Sequence, residues 1–383
     1  MTRVHDVVVI GLGAMGSAAV HELACRGVRV LGVDRHAPPH AFGSSHGRTR
    51  IIREAYHEHP LYVPFVRRAY DRWAALEAEW DAGPLFRRTG ALMIGPADSA
   101  LVAGATRSAR EHAIVHELLS AAEVRTRYPA YRPPEDHVAL LERRAGILFP
   151  ERCIEAQLGL ARRAGAELRT GVEVLGWRTS GDGIEVRTAT ETVLASRVVL
   201  AAGPWLPGLL RAQGDEALLP LVVERQLSHW FAPLDPTVVA PERCPIALWE
   251  HAPERLFAAF PDLGDGIKCG AHHDGGATDP DTVDRVVSTA EVEQAHALLA
   301  RLMPSGAGHG LEHRVCLYTN TLDGHFVIDR HPGEPRIVIV SACSGHGFKF
   351  STAIGELVAD LAMDRPPALD LSFFSAARFA VDA

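Results

Sequence analysis

Four short strings hold most of the side chains in this chain that could do chemistry. Val315-Cys316-Leu317-Tyr318-Thr319 sets a thiol two residues from a phenol. Ser344-Gly345-His346-Gly347-Phe348-Lys349-Phe350 sets an imidazole and an amine on a glycine-punctuated turn, ahead of a helix expected to begin at about Phe348. Gly266 to His272 places Lys268, Gly270 and His272 at even spacing, so an extended strand would put all three on one face. A lysine between Ile267 and Cys269 is an unusual choice for a buried strand unless its charge is wanted. Gly43 to Arg53 is a polar loop carrying Ser44, Ser45, His46, Arg48, Arg50 and Arg53, with Ile51 and Ile52 between the last two arginines. Packing of the isoleucines would let Arg50 and Arg53 face a pocket. Each feature also has a plainer reading: buried filler for the cysteine, a solvated surface for the lysine and the arginines.

The elements that must position these groups begin at the N-terminus. His5 to Ile10 is a β-branched run of the kind buried in parallel sheets. It enters Gly11-Leu12-Gly13-Ala14-Met15-Gly16, followed by a helical pattern ending near Gly27 and a second strand, Val28 to Val33, that delivers Asp34. That is the context a dinucleotide fingerprint requires: Gly11 for the sharp turn, Gly13 for backbone approach to pyrophosphate, Gly16 for strand–helix packing. The helix N-terminus favours phosphate, and Asp34 suits ribose hydroxyls. This fingerprint alone does not choose between nicotinamide and flavin. The cysteine, the Tyr-Thr pair and the His/Lys turn at the other end of the chain choose flavin.

Apolar residues from Leu61 to Trp80 recur at three- and four-residue steps, predicting an amphipathic helix. Residues 84–146 mix short strands such as Ala91 to Ile94 with helices and read as an insertion. A helix from Cys153 to Ala164 and strands around Glu167, Val172, Ile184 and Val193 restore the βαβ character, closed by Arg197 to Trp205. Strand-like runs follow at Leu221 to Trp230, Leu256 to Phe260 and Ile267 to Gly270, then a helix from Glu291 to Leu302. The expected class is α/β with an α+β second domain. A Rossmann-like cofactor domain would comprise 1–83, 147–217 and 319–383, and a mixed-sheet substrate domain 84–146 and 218–318.

Composition is that of a globular chain: of 383 residues, 47% are hydrophobic and 22% charged. A net charge of -8 argues against a nucleic-acid or anionic-membrane partner. Six scattered cysteines without a Cys-x-x-Cys pair fit neither a structural zinc site nor a disulfide framework, and suggest a reducing, cytoplasmic setting. No run is long enough to span a bilayer. His57, His59, His112 and His116 have spacings that suit metals, but the sequence arranges no carboxylate or cysteine with them, so they are read as surface or satisfied residues.

In this order the pieces resemble the monomeric sarcosine oxidase and N-methyltryptophan oxidase family, flavoproteins with covalently attached FAD. The strings Thr49 to Arg53 and Ser344 to Phe350 carry the resemblance most specifically. It implies that Cys316 carries a thioether to the flavin, that Arg53 and Lys349 hold a substrate carboxylate, and that Lys268 activates O2. His46, Arg50, His272 and Tyr318 would line the same cavity. Gly11, Gly13, Met15, Gly16, Asp34, Arg35, Ser44, Ser45, Val174, Ala202, Gly203, Trp205, Gly345, His346, Gly347 and Phe348 would complete the cofactor site. Two cations on a carboxylate would fix the substrate and favour its uncharged amine, and a positive Lys268 would stabilise charge developing on oxygen. Arg50 or His46 would acidify the Cys316 thiol.

One position departs from the family. Sarcosine oxidases carry a tyrosine three residues before the proline matching Pro261, where this chain has Ala258. The change opens the amine side of the pocket and suggests a bulkier N-substituent than methyl. The expected activity is an FAD-dependent oxidase of secondary amino acids, giving an imine and H2O2, acting as a monomer on a small-molecule substrate and O2. The alternative is a dehydrogenase that passes electrons to another acceptor; Lys268 argues for oxygen.

Overall fold

In the computed structural model, which describes residues 4–379, the N-terminal β-branched run forms the strand Val4–Ile10. Residues 1–3 and 380–383, the outermost ends expected for the cofactor domain, lie outside the described residues. Val4–Ile10 pairs in parallel with Val30–Asp34 on one side and Thr192–Leu200 on the other. Glu167–Thr170 extends the parallel set beyond Val30–Asp34, and Glu334–Ser341 extends it beyond the end of Thr192–Leu200. Strands Val174–Ser180 and Gly183–Thr188 add an antiparallel hairpin on the first half of Thr192–Leu200. Burial on both faces is why Val7, Val8, Val9 and Ile10 are all apolar.

The helix Ala14–Cys25 returns the chain between the first two strands. Gly27, at φ +76, takes the left-handed position that ends it, so the second strand starts at Val30 rather than at Val28. This helix packs against Pro150–Arg163 and Ser351–Ala362. At Gly355 the approach is so close that a Cβ would lie 2.7 Å from the Ala18 backbone. The amphipathic helix predicted around 61–80 is Tyr62–Glu79, with Phe65, Val66, Ala69, Trp73 and Leu76 buried.

A second sheet of eight strands runs Gly310–Asn320, Val222–Phe231, Ile267–His272, Arg255–Ala259, Ile246–Ala252, Ala91–Pro96, His137–Glu142 and Glu117–Ser120. Its one parallel junction, Ile246–Ala252 with Ala91–Pro96, joins strands from the two expected insertions in one sheet. A small sheet of Arg50–Ile52, Gly146–Leu148 and Phe86–Arg88 lies apart from both.

Two local expectations need correction. Val172 is not in a strand: Gly171 adopts φ +73, and the Val172 N–H bonds to Asp34 O at 2.9 Å in the bend between two strands. The helix expected from Phe348 begins with a single 3₁₀ turn, Phe348–Phe350, before the α-helix Ser351–Ala362. Strands Ile246–Ala252, Val327–His331 and Glu334–Ser341 went unread, because charged and proline residues interrupt their alternation. Among the described residues no helix is long and apolar enough to cross a membrane.

Candidate active site

The carboxyl ends of the parallel strands and the facing surface of the second sheet enclose a cavity of about 560 Å³. This is the place where open α/β sheets bind ligands. The glycine turn forms one end. Gly11 has φ +92, and a Cβ there would sit 2.4 Å from Ala201 O; a Cβ on Gly16 would sit 1.7 Å from Gly11 O. The first cannot be another residue without moving the neighbouring strand, and the second cannot be one without opening the turn. Asp34 fastens the turn from the next strand, accepting from Leu12 N at 2.7 Å and from His36 N at 2.8 Å. Arg35 pairs with Asp281 at 2.9 Å, and Trp205 Nε1 donates to the same carboxylate at 2.8 Å. Met15, Val174, Ala202 and Gly203 line the wall between.

At the far end the groups come from several segments. Cys316, on Gly310–Asn320, is 5% exposed, and its Sγ lies 3.7 Å from Arg50 Nη2. Arg50 also donates to Thr49 O and Ser44 O, which orient the guanidinium. Lys268, on the neighbouring face of Ile267–His272, donates to Gly47 O at 2.6 Å and Thr49 O at 3.0 Å. Burial, then Arg50, pushes its pKa well below the ordinary lysine value. His272 and Tyr318 hydrogen-bond across the cavity wall at 3.0 Å, and burial keeps the imidazole neutral and the phenol protonated.

Lys349 projects from the 3₁₀ turn and donates to His346 O at 2.7 Å and to Tyr56 OH at 3.3 Å. Burial and the nearby Arg53 lower its pKa to about 7. His346 is held neutral by burial, with a pKa of about 3. Its Nε2 lies 3.0 Å from Gly324 O, which only a protonated nitrogen can satisfy, so Tyr56 OH donates to its Nδ1 at 2.7 Å. Gly345, Gly347 and Phe348 line the adjacent wall, and a Cβ on Gly347 would sit 1.7 Å from Ala342 O.

All the residues expected at the site line this cavity except Gly16 and His46, and Arg48 of the same loop pairs instead with Asp265 at 2.9 Å. Gly16 acts through packing, as its contact with Gly11 O requires. His46 is a correction: it is buried with neither ring nitrogen hydrogen-bonded among the described residues, and burial, then Arg50, lowers its pKa to about 3. A neutral ring brings no positive charge to the thiol; the cation beside Cys316 Sγ is Arg50, at 3.7 Å. Arg53 reaches the cavity with its donors largely committed: Nη1 to Ala55 O at 2.7 Å, Nη2 to Glu58 at 2.9 Å and to His57 Nδ1 at 2.8 Å.

Glu58 and His57 are the residues that sequence reasoning missed. The histidine was set aside for want of an arranged carboxylate, yet Glu58 Oε2 lies 3.1 Å from His57 Nδ1 and both line the cavity. Their signal was present: a His-Glu-His string following a loop rich in arginines. Burial would raise the Glu58 pKa, but Arg53 and then His57 outweigh it and hold the carboxyl well below its usual range. Ala258, Leu248 and Leu256 form an apolar wall of the same cavity.

The donor set suits FAD. Two strands' close approach leaves backbone, without side chains, at the glycine turn. Thr49 Oγ1 and Thr319 Oγ1 are buried without a hydrogen-bond partner, on residues that line the other end.

Comparison with known proteins agrees. The model of the DAO family, FAD dependent oxidoreductase, matches residues 6–361. Monomeric sarcosine oxidase of Streptomyces avermitilis is 41% identical over 99% of both chains. N-methyl-L-tryptophan oxidase of Escherichia coli O157:H7 is 34% identical over 98% of this chain and 99% of that one. Among solved structures, NikD, described as an unusual amino acid oxidase essential for nikkomycin biosynthesis, superposes with a TM-score of 0.85 at 25% identity, covering 98% of each chain. The glycine turn, the cavity it opens and these end-to-end matches lead to one conclusion: the chain belongs to the FAD dependent oxidoreductase family, with the monomeric sarcosine and N-methyltryptophan oxidases, enzymes acting on C–N bonds.

Proposed function

We propose that the protein oxidises the C–N bond of secondary amino acids whose nitrogen carries a group larger than methyl, with O2 as the acceptor. The reading rests on one juxtaposition: Lys349, Arg50 and Arg53 line the cavity end where Cys316 and Lys268 also lie, beside an apolar wall of Ala258, Leu248 and Leu256. FAD, when bound, supplies the two-electron acceptor; Gly11 to Met15, Asp34, Arg35, Ser44, Ser45 and Gly203 would hold it, and Cys316 Sγ would tether it. Lys349 holds the substrate carboxylate, helped by those N–H groups of Arg53 that its bonds to Ala55, Glu58 and His57 leave. Fixing the carboxylate aligns the reacting C–H bond, a positioning effect. The same cations lower the pKa of the substrate amine and so favour its uncharged, oxidisable form.

Lys268 would support O2 reduction by hydrogen bonding from its side-chain nitrogen, which its two carbonyl partners orient. Peroxide formed in equal amount to the substrate consumed would support this; bleaching of the flavin by substrate without peroxide in air would favour a dehydrogenase using another acceptor. The substrate reading is tested by anaerobic bleaching of the holoenzyme with sarcosine and longer N-alkylglycines. Each accommodated methylene is expected to raise the specificity constant about tenfold. Sarcosine outperforming every longer compound would end it. The tether is tested by acid precipitation: colour is expected in the pellet of the native protein and in the supernatant of Cys316→Ser.

A further inference from the structure

We propose that His57 is a specificity-determining residue, a hydrogen-bond donor that selects substrates bearing an acceptor atom on the nitrogen substituent. This rests on the reading above and extends it from the size of the substituent to its chemistry.

The argument starts from the tautomer. Arg53 Nη2 stands 2.8 Å from His57 Nδ1, and a guanidinium nitrogen can only donate. His57 Nδ1 is therefore the acceptor of that bond. A proton on Nδ1 would be aimed at a guanidinium hydrogen. Glu58 Oε2, 3.1 Å from the same nitrogen, takes its own bond from Arg53 Nη2 at 2.9 Å and needs none from the ring. The other charged groups near the imidazole are Lys349 and Glu250. Burial lowers the pKa of the ring to about 4, so it is neutral at working pH. A neutral ring with an accepting Nδ1 must carry its proton on Nε2.

That N–H has no partner among the described residues. Nε2 is also not among the sealed, unpaired atoms of the interior. The ring lines the cavity and its side chain keeps 14% of its surface. With Nδ1 turned toward Arg53 and Glu58, the opposite edge is the one left to the cavity. Leu248, Leu256 and Ala258, on the apolar wall of the same cavity, offer no acceptor. A donor without a protein partner discriminates by what it leaves unpaired: a purely hydrocarbon substituent would strip water from Nε2–H and return nothing.

The chemical class follows. The substituent should be apolar over most of its length and carry one neutral acceptor, an ether or carbonyl oxygen or an aromatic nitrogen.

The test compares N-butylglycine with analogues in which an ether oxygen replaces one methylene at successive positions, each titrated anaerobically into the holoenzyme. One position is expected to lower the Kd from the saturation curve about tenfold relative to the hydrocarbon, with little change in the limiting bleaching rate. His57→Phe should abolish that preference, and His57→Gln, which keeps an N–H at comparable reach, should retain most of it. Equal or weaker binding of every ether compound by the native enzyme, or a preference that survives in His57→Phe, would overturn the role of His57 and leave the oxidase reading standing. Failure of all the long compounds to bleach the flavin, with sarcosine still active, would overturn both.

Discussion

At the glycine-turn end the cavity wall is mainly backbone, whereas at the Cys316 end it is side chains drawn from segments scattered from residue 49 to residue 349. The first end has almost no freedom. Its shape follows from where two strands and a helix meet, and a Cβ at Gly11 or Gly16 would overlap a carbonyl oxygen. The second end is a set of choices: Arg53 neutralised by Glu58, Lys349 close to its titration point, Lys268 held by two carbonyls, Ala258 small. The difference teaches where evolution can alter such a protein. A common cofactor is kept by geometry that tolerates no change, and a particular substrate is chosen by side chains that can be exchanged singly.

The comparison is broken most directly at Gly16. Gly16→Ala puts a methyl group 1.7 Å from Gly11 O, a contact that only a displaced turn can relieve. Overpacking of this kind costs about 1–3 kcal/mol where side chains can yield, and more where backbone must move. The expected outcome is loss of bound flavin, read as the ratio of visible to ultraviolet absorbance, with a lowered Tm. Full flavin content in this variant would show that the turn is not the rigid element described.

The same contrast explains what could be read without a structure. The strand, turn and helix at the N-terminus announce themselves because the geometry admits few residues: glycine at Gly11 and Gly16, β-branched residues before them, Asp34 after. Lys268 was legible because a buried strand rarely spends a lysine. His57 and Glu58 were not, since a His-Glu-His string is ordinary on a surface and only the fold brings Arg53 back onto it. His46 failed in the other direction. A histidine beside Ser44 and Ser45 has the composition of a site residue, but it is not among the residues that line the cavity.

At the side-chain end a pH profile sharpens the comparison. Lys349 is charged below about pH 7 and neutral above it, because burial, then Arg53, depresses its pKa from the ordinary lysine value. Affinity for a carboxylate should therefore be full at low pH and fall as pH rises through about 7, approaching tenfold per pH unit before other cations set a floor. A simple carboxylate without an amine isolates the effect from ionisation of the substrate nitrogen. Its Kd, followed by perturbation of the flavin spectrum between pH 6 and 9, should rise in the native protein. In Lys349→Met the profile should be flat and the affinity low throughout. A native Kd that does not change across this range would mean that Lys349 keeps its charge or does not meet the carboxylate.

The smallest effect is expected where side chains occur at the backbone end. Asp281 joins Arg35 and Trp205 across the outer wall, and its side chain is 54% exposed. Exposed pairs of this kind contribute about 0–1 kcal/mol, since water and salt screen them and both partners lose rotamer freedom. Asp281→Ala should therefore retain its flavin and shift Tm by only a degree or two, with unchanged discrimination among N-alkylglycines. Any loss should grow when a Cys316→Ser change removes the proposed tether at the opposite end, because flavin held only by contacts must then rely on both walls. If Asp281→Ala alone emptied the cavity, side chains would be holding the cofactor at both ends, and the contrast between a backbone end and a side-chain end would not describe how this protein binds it.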